Sequence, residues 1–154
     1  MLTSSVPSAP DKSRYQSVAA LLQNHAEARG DKPFIIAMDQ DSRAISFAQM
    51  WKLSNRLSRF LSARGIGAGG RIAVLTDNRL EMPVLYFAIL HYGAAFCTIN
   101  VEVNAANMRE MLARIKPALV LYHEDLDISG LNHVVDCDLI SFGECAPDGN
   151  NAED

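Results

Sequence analysis

RIAVLTDNRLEMPVLYFAILHYGAAFCTIN, residues 71–100, decides how the chain is read. RIAVLT is a short apolar run followed by polar DN, and the next eleven residues, 80–90, are apolar almost all round; AAFCTIN is then a second strand-like run. Twenty residues, 82–101, pass without Lys, Arg, Asp or Glu, long enough for a membrane helix. Pro83 near the start, His91-Tyr92-Gly93 in the middle and the strand-like second half exclude a span. The segment reads instead as a buried strand, a buried helix and another buried strand.

The same alternation continues downstream. Asn104 is placed to cap a helix with Met108, Met111, Leu112 and Ile115 on one face, ending at Lys116-Pro117. ALVLY (118–122) is the next strand, and HVVDCDLISF (133–142) holds one or two more. Strands apolar on both faces, alternating with helices, predict an open, mostly parallel α/β sheet with helices on both faces and right-handed crossovers.

Upstream, Ser46 with Gln49 three residues later has capping-box spacing for a long helix, with Met50, Leu53, Leu57, Phe60 and Leu61 on its apolar side and glycines after Arg64 to end it. FIIAM (34–38) and RAISF (43–47), separated by DQDS, predict a β-hairpin. VAALLQNHAEARG (18–30) predicts a small N-terminal helix with Val18, Leu21, Leu22 and His25 on one face and Gly30 as a left-handed stop. Residues 1–16 and 143–154 are expected to be disordered tails around an α/β unit at 17–142.

The chain has 154 residues, 49% apolar, with 14 basic and 18 acidic side chains for a net charge of −4. A chain of this size buries roughly two thirds of its unfolded surface, enough for a core without disulfides or structural metal. The mild acidity excludes a dedicated nucleic-acid binder. Three unpatterned cysteines and a Ser/Pro-rich start without an apolar signal region point to a cytoplasmic protein.

Gly65 to Gly70 fits G-x-G-x-x-G, but it follows a helix and leads into a strand, so it reads as a helix stop and turn rather than a phosphate cradle. His123, Glu124, Asp125 and Asp127 form a polar loop after the third strand; no second His stands at ligand spacing, and a solvated loop is the better reading. Asp77, Asn78 and Asn100 fall at strand carboxyl ends, where they can face a crevice or cap the following helices; capping is preferred for Asn78. Cys97 reads as a core thiol, and His25 and His91 as packing residues. Asn78, Asn100 and His123 remain the candidate crevice residues. No catalytic residue and no metal ligand is assigned.

The order of segments resembles the beginning of the adenylate-forming superfamily, the AMP-dependent synthetases and ligases that include acyl-CoA synthetases. The matching phrases are GDKPF (30–34), AISFAQM (44–50), SNRLSRFLSARGIGAGGRIAVL (54–75) and DNRLEMPVLYFAILHYGAAFCTIN (77–100). The last resembles the family's "pNspE…Aila.GAv.vPlNp", with Asn78, Glu81, Ala88, Gly93, Ala94 and Asn100 in matching places. Gly70 stands where the family usually has Asp, and Thr98 and Val101 where prolines usually flank the Asn.

The resemblance implies the scaffold portion of an ATP-dependent acid–CoA ligase, which forms an acyl-adenylate and passes the acyl group to coenzyme A. ATP, Mg²⁺ and coenzyme A belong to the complete enzyme. The family's phosphate loop with its Lys, its ribose-binding Asp and its C-terminal catalytic Lys have no counterpart in this sequence, so the chain alone is not expected to bind these cofactors or catalyse adenylation. Its expected partner is the remainder of the ligase chain or a complementary fragment. Two other readings stay open: a stand-alone binding or assembly module, pairing with another fragment or as a homo-oligomer, and an independent nucleotide-binding domain using the strand carboxyl ends.

Overall fold

Strand β3 (Arg71–Thr76) is the axis of the molecule, because its five buried residues, Ile72 to Thr76, need cover on both faces and both edges. It pairs in parallel with β4 (Ala95–Asn100) on one side and β5 (Leu119–Tyr122) on the other, and β5 pairs in parallel with β6 (Leu139–Ser141). The order is therefore β4-β3-β5-β6. The structure is a computed structural model and describes residues 17–38, 42–77 and 79–145. The tails expected at 1–16 and beyond residue 145, and the hairpin tip at 39–41, lie outside the described residues. Residues 143–145, read as the start of the second tail, belong to a short helix α5 (Phe142–Cys145).

The period-two alternation of each strand divides the core in two. Ile72, Val74, Leu119, Leu121 and Ile140 point to one face, where they meet α1 (Val18–Arg29), α2 (Phe47–Ala63) and α3 (Glu81–Tyr92). Ala73, Leu75, Ile99 and Val120 point to the other, against Met108 and Leu112 of α4 (Ala105–Ile115) and Leu131 of the loop beyond β5. The chain thus changes face when it changes direction across the sheet, as crossovers of one hand require. α3 touches α1, α2, β3 and β4, and that position between sheet and outer helices explains why it is apolar all round. At twelve residues it is too short to span a bilayer, and no helix among the described residues is long and apolar enough to do so.

A small antiparallel hairpin, β1 (Pro33–Ile36) with β2 (Ala44–Ser46), leads into α2. The expected capping box is present: Gln49 N–H donates to Ser46 Oγ at 3.2 Å, and Ser46 N–H to Gln49 Oε1 at 2.8 Å. Ser46→Ala is expected to cost about 1 kcal/mol, read as a lower urea midpoint at unchanged m-value; an unaltered midpoint would show that tertiary packing alone sets the helix start.

Helix ends depart from expectation in two places. Gly30 is right-handed at φ −41°, not a left-handed stop; a Cβ there would lie 3.0 Å from the Ala26 carbonyl and 3.5 Å from Ala48 Cβ, so this glycine serves the close approach of α1 to the start of α2. The helix after β3 begins at Glu81, with Leu80 at its N-cap and no side-chain cap. Asn78, expected as that cap, lies outside the described residues. Asn104 does cap α4, accepting from Asn107 N–H at 2.9 Å. The glycine-rich segment is the turn it was read as: Gly65 and Gly69 have φ of +68° and +76°, and the turn feeds β3 rather than opening a helix.

Candidate functional site

In an open parallel sheet the ligand-binding crevice forms beyond the strand carboxyl ends, where successive connections leave in opposite directions. Here that point lies beside β3, whose connection runs to β4 while the next strand, β5, lies on its other side. Two adjoining depressions mark it. One of about 470 Å³ is lined by Thr76, Asp77, Met82, Thr98, Asn100 and Glu102. A smaller one of about 100 Å³ shares Thr76 and Asp77 and extends to Arg79, His123 and Asp125.

Of the residues expected there, the structure brings Asn100 and His123 to the crevice, in separate depressions. Asn100 is turned onto its own loop, its Oδ1 accepting from Glu102 N–H at 3.0 Å and its Nδ2 donating to Glu102 Oε2 at 3.3 Å. His123 is more deeply set than a solvated loop implies, its side chain 19% exposed and edge-on to the Phe142 ring, whereas Asp125 beside it is 77% exposed.

The residue missed from sequence is Arg79. α3 starts two residues after Arg79, and Arg79 folds back across the crevice. Its Nε donates to Asp77 Oδ1 at 2.7 Å, and one Nη contacts His123 Nε2 at 2.6 Å and Asp125 Oδ2 at 3.5 Å. The Asp77 hydrogen bond, helped by the charge of Asp125, raises the guanidinium pKa further and keeps it charged. The signal available was position: a cation three residues beyond the central strand, opposite a His one residue beyond its neighbour.

This arrangement limits the chemistry. Among the described lining residues Arg79 is the only Lys or Arg, and two carboxylates already offset it, so these residues offer no surplus positive charge for phosphates. Asp77 is committed to Arg79, and among the described residues no group of three His, Cys, Asp or Glu converges as a metal site. The described residues therefore do not fit Mg²⁺ or nucleotide phosphates.

His91 of α3 packs edge-on against Trp51 of α2 at 5.1 Å between ring centroids, with its Nδ1 buried and without a hydrogen-bond partner among the described residues. Burial lowers its pKa. The unfolded chain then binds the proton more readily, so stability holds above the ordinary value of 6.5, falls as pH drops through it, and levels off below the folded value. We expect the thermal midpoint, followed by the fluorescence of Trp51, to decline from pH 7.5 to 5 in the parent and less in His91→Gln; parallel declines would place the acid sensitivity elsewhere.

A family model described as AMP-binding enzyme matches residues 22–153. Isonitrile lipopeptide synthase of Streptomyces coeruleorubidus is 33% identical over 104 residues, which is 68% of this chain and 7% of that protein. Among solved structures, VinN in complex with L-aspartate superposes with a TM-score of 0.72 at 21% identity, covering 84% of this chain and 36% of VinN. A fatty acyl CoA synthetase of Mycobacterium tuberculosis superposes with a TM-score of 0.68 at 22% identity, covering 81% of this chain and 26% of that one. The chain thus spans about a third or less of the length of each of these proteins.

Proposed function

The chain belongs to the AMP-binding enzyme family, and from that premise we propose that it is the scaffold portion of an ATP-dependent acid–CoA ligase, inactive in adenylation alone. The complete enzyme would join a carboxylate to AMP with release of pyrophosphate and then pass the acyl group to the thiol of coenzyme A. The observation that carries this reading is the family match across residues 22–153, on a sheet whose fold coincides with that of a fatty acyl CoA synthetase.

The exposed edge of the sheet supports it. Among the described residues β4 pairs only with β3, and beside it Tyr86, 40% exposed, stacks edge-on against Phe96 at 5.2 Å. A six-residue parallel edge with aromatic side chains is a surface that proteins ordinarily cover. The proposal assigns the rest of the ligase chain, or a complementary fragment, to that role.

A second reading differs in the acid. The lipopeptide synthase relative and the neighbour solved with L-aspartate favour an amino acid as the activated carboxylate. Immunodetection of the native gene product with an antibody to this segment, followed by pyrophosphate exchange on the purified species across fatty, aromatic and amino acids, separates the two. Fatty or aromatic acids with acyl-CoA formation support the first reading, and amino acids without acyl-CoA the second. A native product of about 17 kDa without exchange refutes both.

A further inference from the structure

Charge is distributed unevenly along the chain and over the fold. Residues 42–76 contain six Lys and Arg and no Asp or Glu, whereas residues 117–154 contain nine Asp and Glu and no Lys or Arg. Of the six cations, Arg43 pairs with Glu81, and Arg71 donates to the Lys116 carbonyl. The other four lie on α2 or at its end. Lys52, Arg56 and Arg59 follow the i, i+4, i+7 spacing of one helical stripe, opposite the side that buries Met50, Ser54, Leu57 and Leu61. Arg64 extends the stripe, its guanidinium stacked over the Phe60 ring at 3.8 Å. The stripe runs along about three turns, roughly 18 Å of helix. Among the described residues no carboxylate pairs with any of its four cations.

The acidic residues lie across the sheet. Leu126, Ile128, Leu131, Val134 and Val135 anchor the loop between β5 and β6 on the α4 face. Around those anchors Glu124, Asp125, Asp127, Asp136 and Asp138 are all left exposed. Asp125 reaches Arg79 at 3.5 Å and Asp127 accepts from Ser129 N–H, while Glu124, Asp136 and Asp138 have no cation partner among the described residues. α2 packs on the other face of the sheet, so one copy does not bring the two surfaces together.

We propose that the α2 stripe of one copy docks on the β5–β6 loop of a second copy, head to tail. Charge complementarity names the occupant: each copy carries four unpaired cations on one face and five exposed carboxylates on the other. Because the two surfaces differ, the contact is heterologous and propagates from copy to copy instead of closing as a twofold dimer. Exposed ion pairs are weak singly and screened by salt, so the association is weak, reversible and carried by several pairs in register. This inference is independent of which acid the complete enzyme activates.

Sedimentation velocity of the 154-residue chain tests it at ionic strengths of about 0.1 M and about 1 M, where the Debye length is about 10 Å and about 3 Å. At the lower ionic strength the mean sedimentation coefficient should rise with protein concentration without levelling at the dimer value; at the higher it should stay at the monomer value. Lys52→Glu, Arg56→Glu and Arg59→Glu together should abolish the rise, as should Glu124→Lys, Asp136→Lys and Asp138→Lys together. Mixing the two variants should restore it, because each then meets a partner of opposite charge. Carbodiimide cross-linking of isotope-labelled with unlabelled parent should join Lys52 to the loop carboxylates between copies, a readout that needs no variant. A parent that stays monomeric at the lower ionic strength, an association that salt leaves intact or that stops at a dimer, or variants that fail to complement on mixing overturns the proposal.

Discussion

Pyrophosphate exchange by the 154-residue chain alone is expected to stay at the buffer level with every carboxylic acid, whereas a longer gene product carrying it should turn over on the order of 1–1000 times per second. The gap follows from electrostatics. Charge that develops on transferring phosphoryl oxygens must be met by preorganised donors and cations aimed at one point. Here the lining of the crevice offers Arg79, and Asp77, Asp125 and His123 have already claimed it. Saturable, acid-dependent exchange by the chain itself would refute the scaffold reading, and the crevice would then be the first place to look for the missing cation.

That crevice is where sequence and structure part company. Strand and helix identities were legible because each rests on neighbours a few residues apart: the alternation in RIAVLT, the Ser46 and Gln49 pair, Asn104 ahead of an apolar face. The two-sided sheet was legible for the same reason, since β3 has no polar face to leave in water. Arg79 and His123 are 44 residues apart and meet only because β3 and β5 are neighbours, a pairing that no local pattern encodes. Gly30 failed differently. Its neighbour is Ala48 across a helix contact, so a reading based on the chain's own turn chose left-handed geometry where close packing was the cause.

Leu75→Ala should be the most damaging conservative truncation on the α4 face of the sheet, costing about 3 kcal/mol within a usual range of 2–5. Leu75 is fully buried near the carboxyl end of β3, opposite Ile99 of β4 and Tyr122 of β5, and it belongs to the cluster that holds Met108 and Leu112 of α4. Three helices cover the other face; this one has α4 and the loop around Leu131. Each apolar contact here therefore carries a larger share of what keeps its helix docked. For a domain of this size, 3 kcal/mol corresponds to a thermal midpoint lower by roughly 6–12 °C, and Leu75→Met, which keeps the volume, should cost under about 1.5 kcal/mol.

The same argument fixes where the damage appears. Amide exchange should accelerate in α4 before it does in α2 or α3, because the cavity opens beneath α4 alone. Leu112→Ala should remove the same contact from the other side, so the double variant should cost less than the sum of the two. Strict additivity, or exchange that accelerates evenly through all four long helices, would mean that the two faces of the sheet form one cooperative core and that α4 is not separately held.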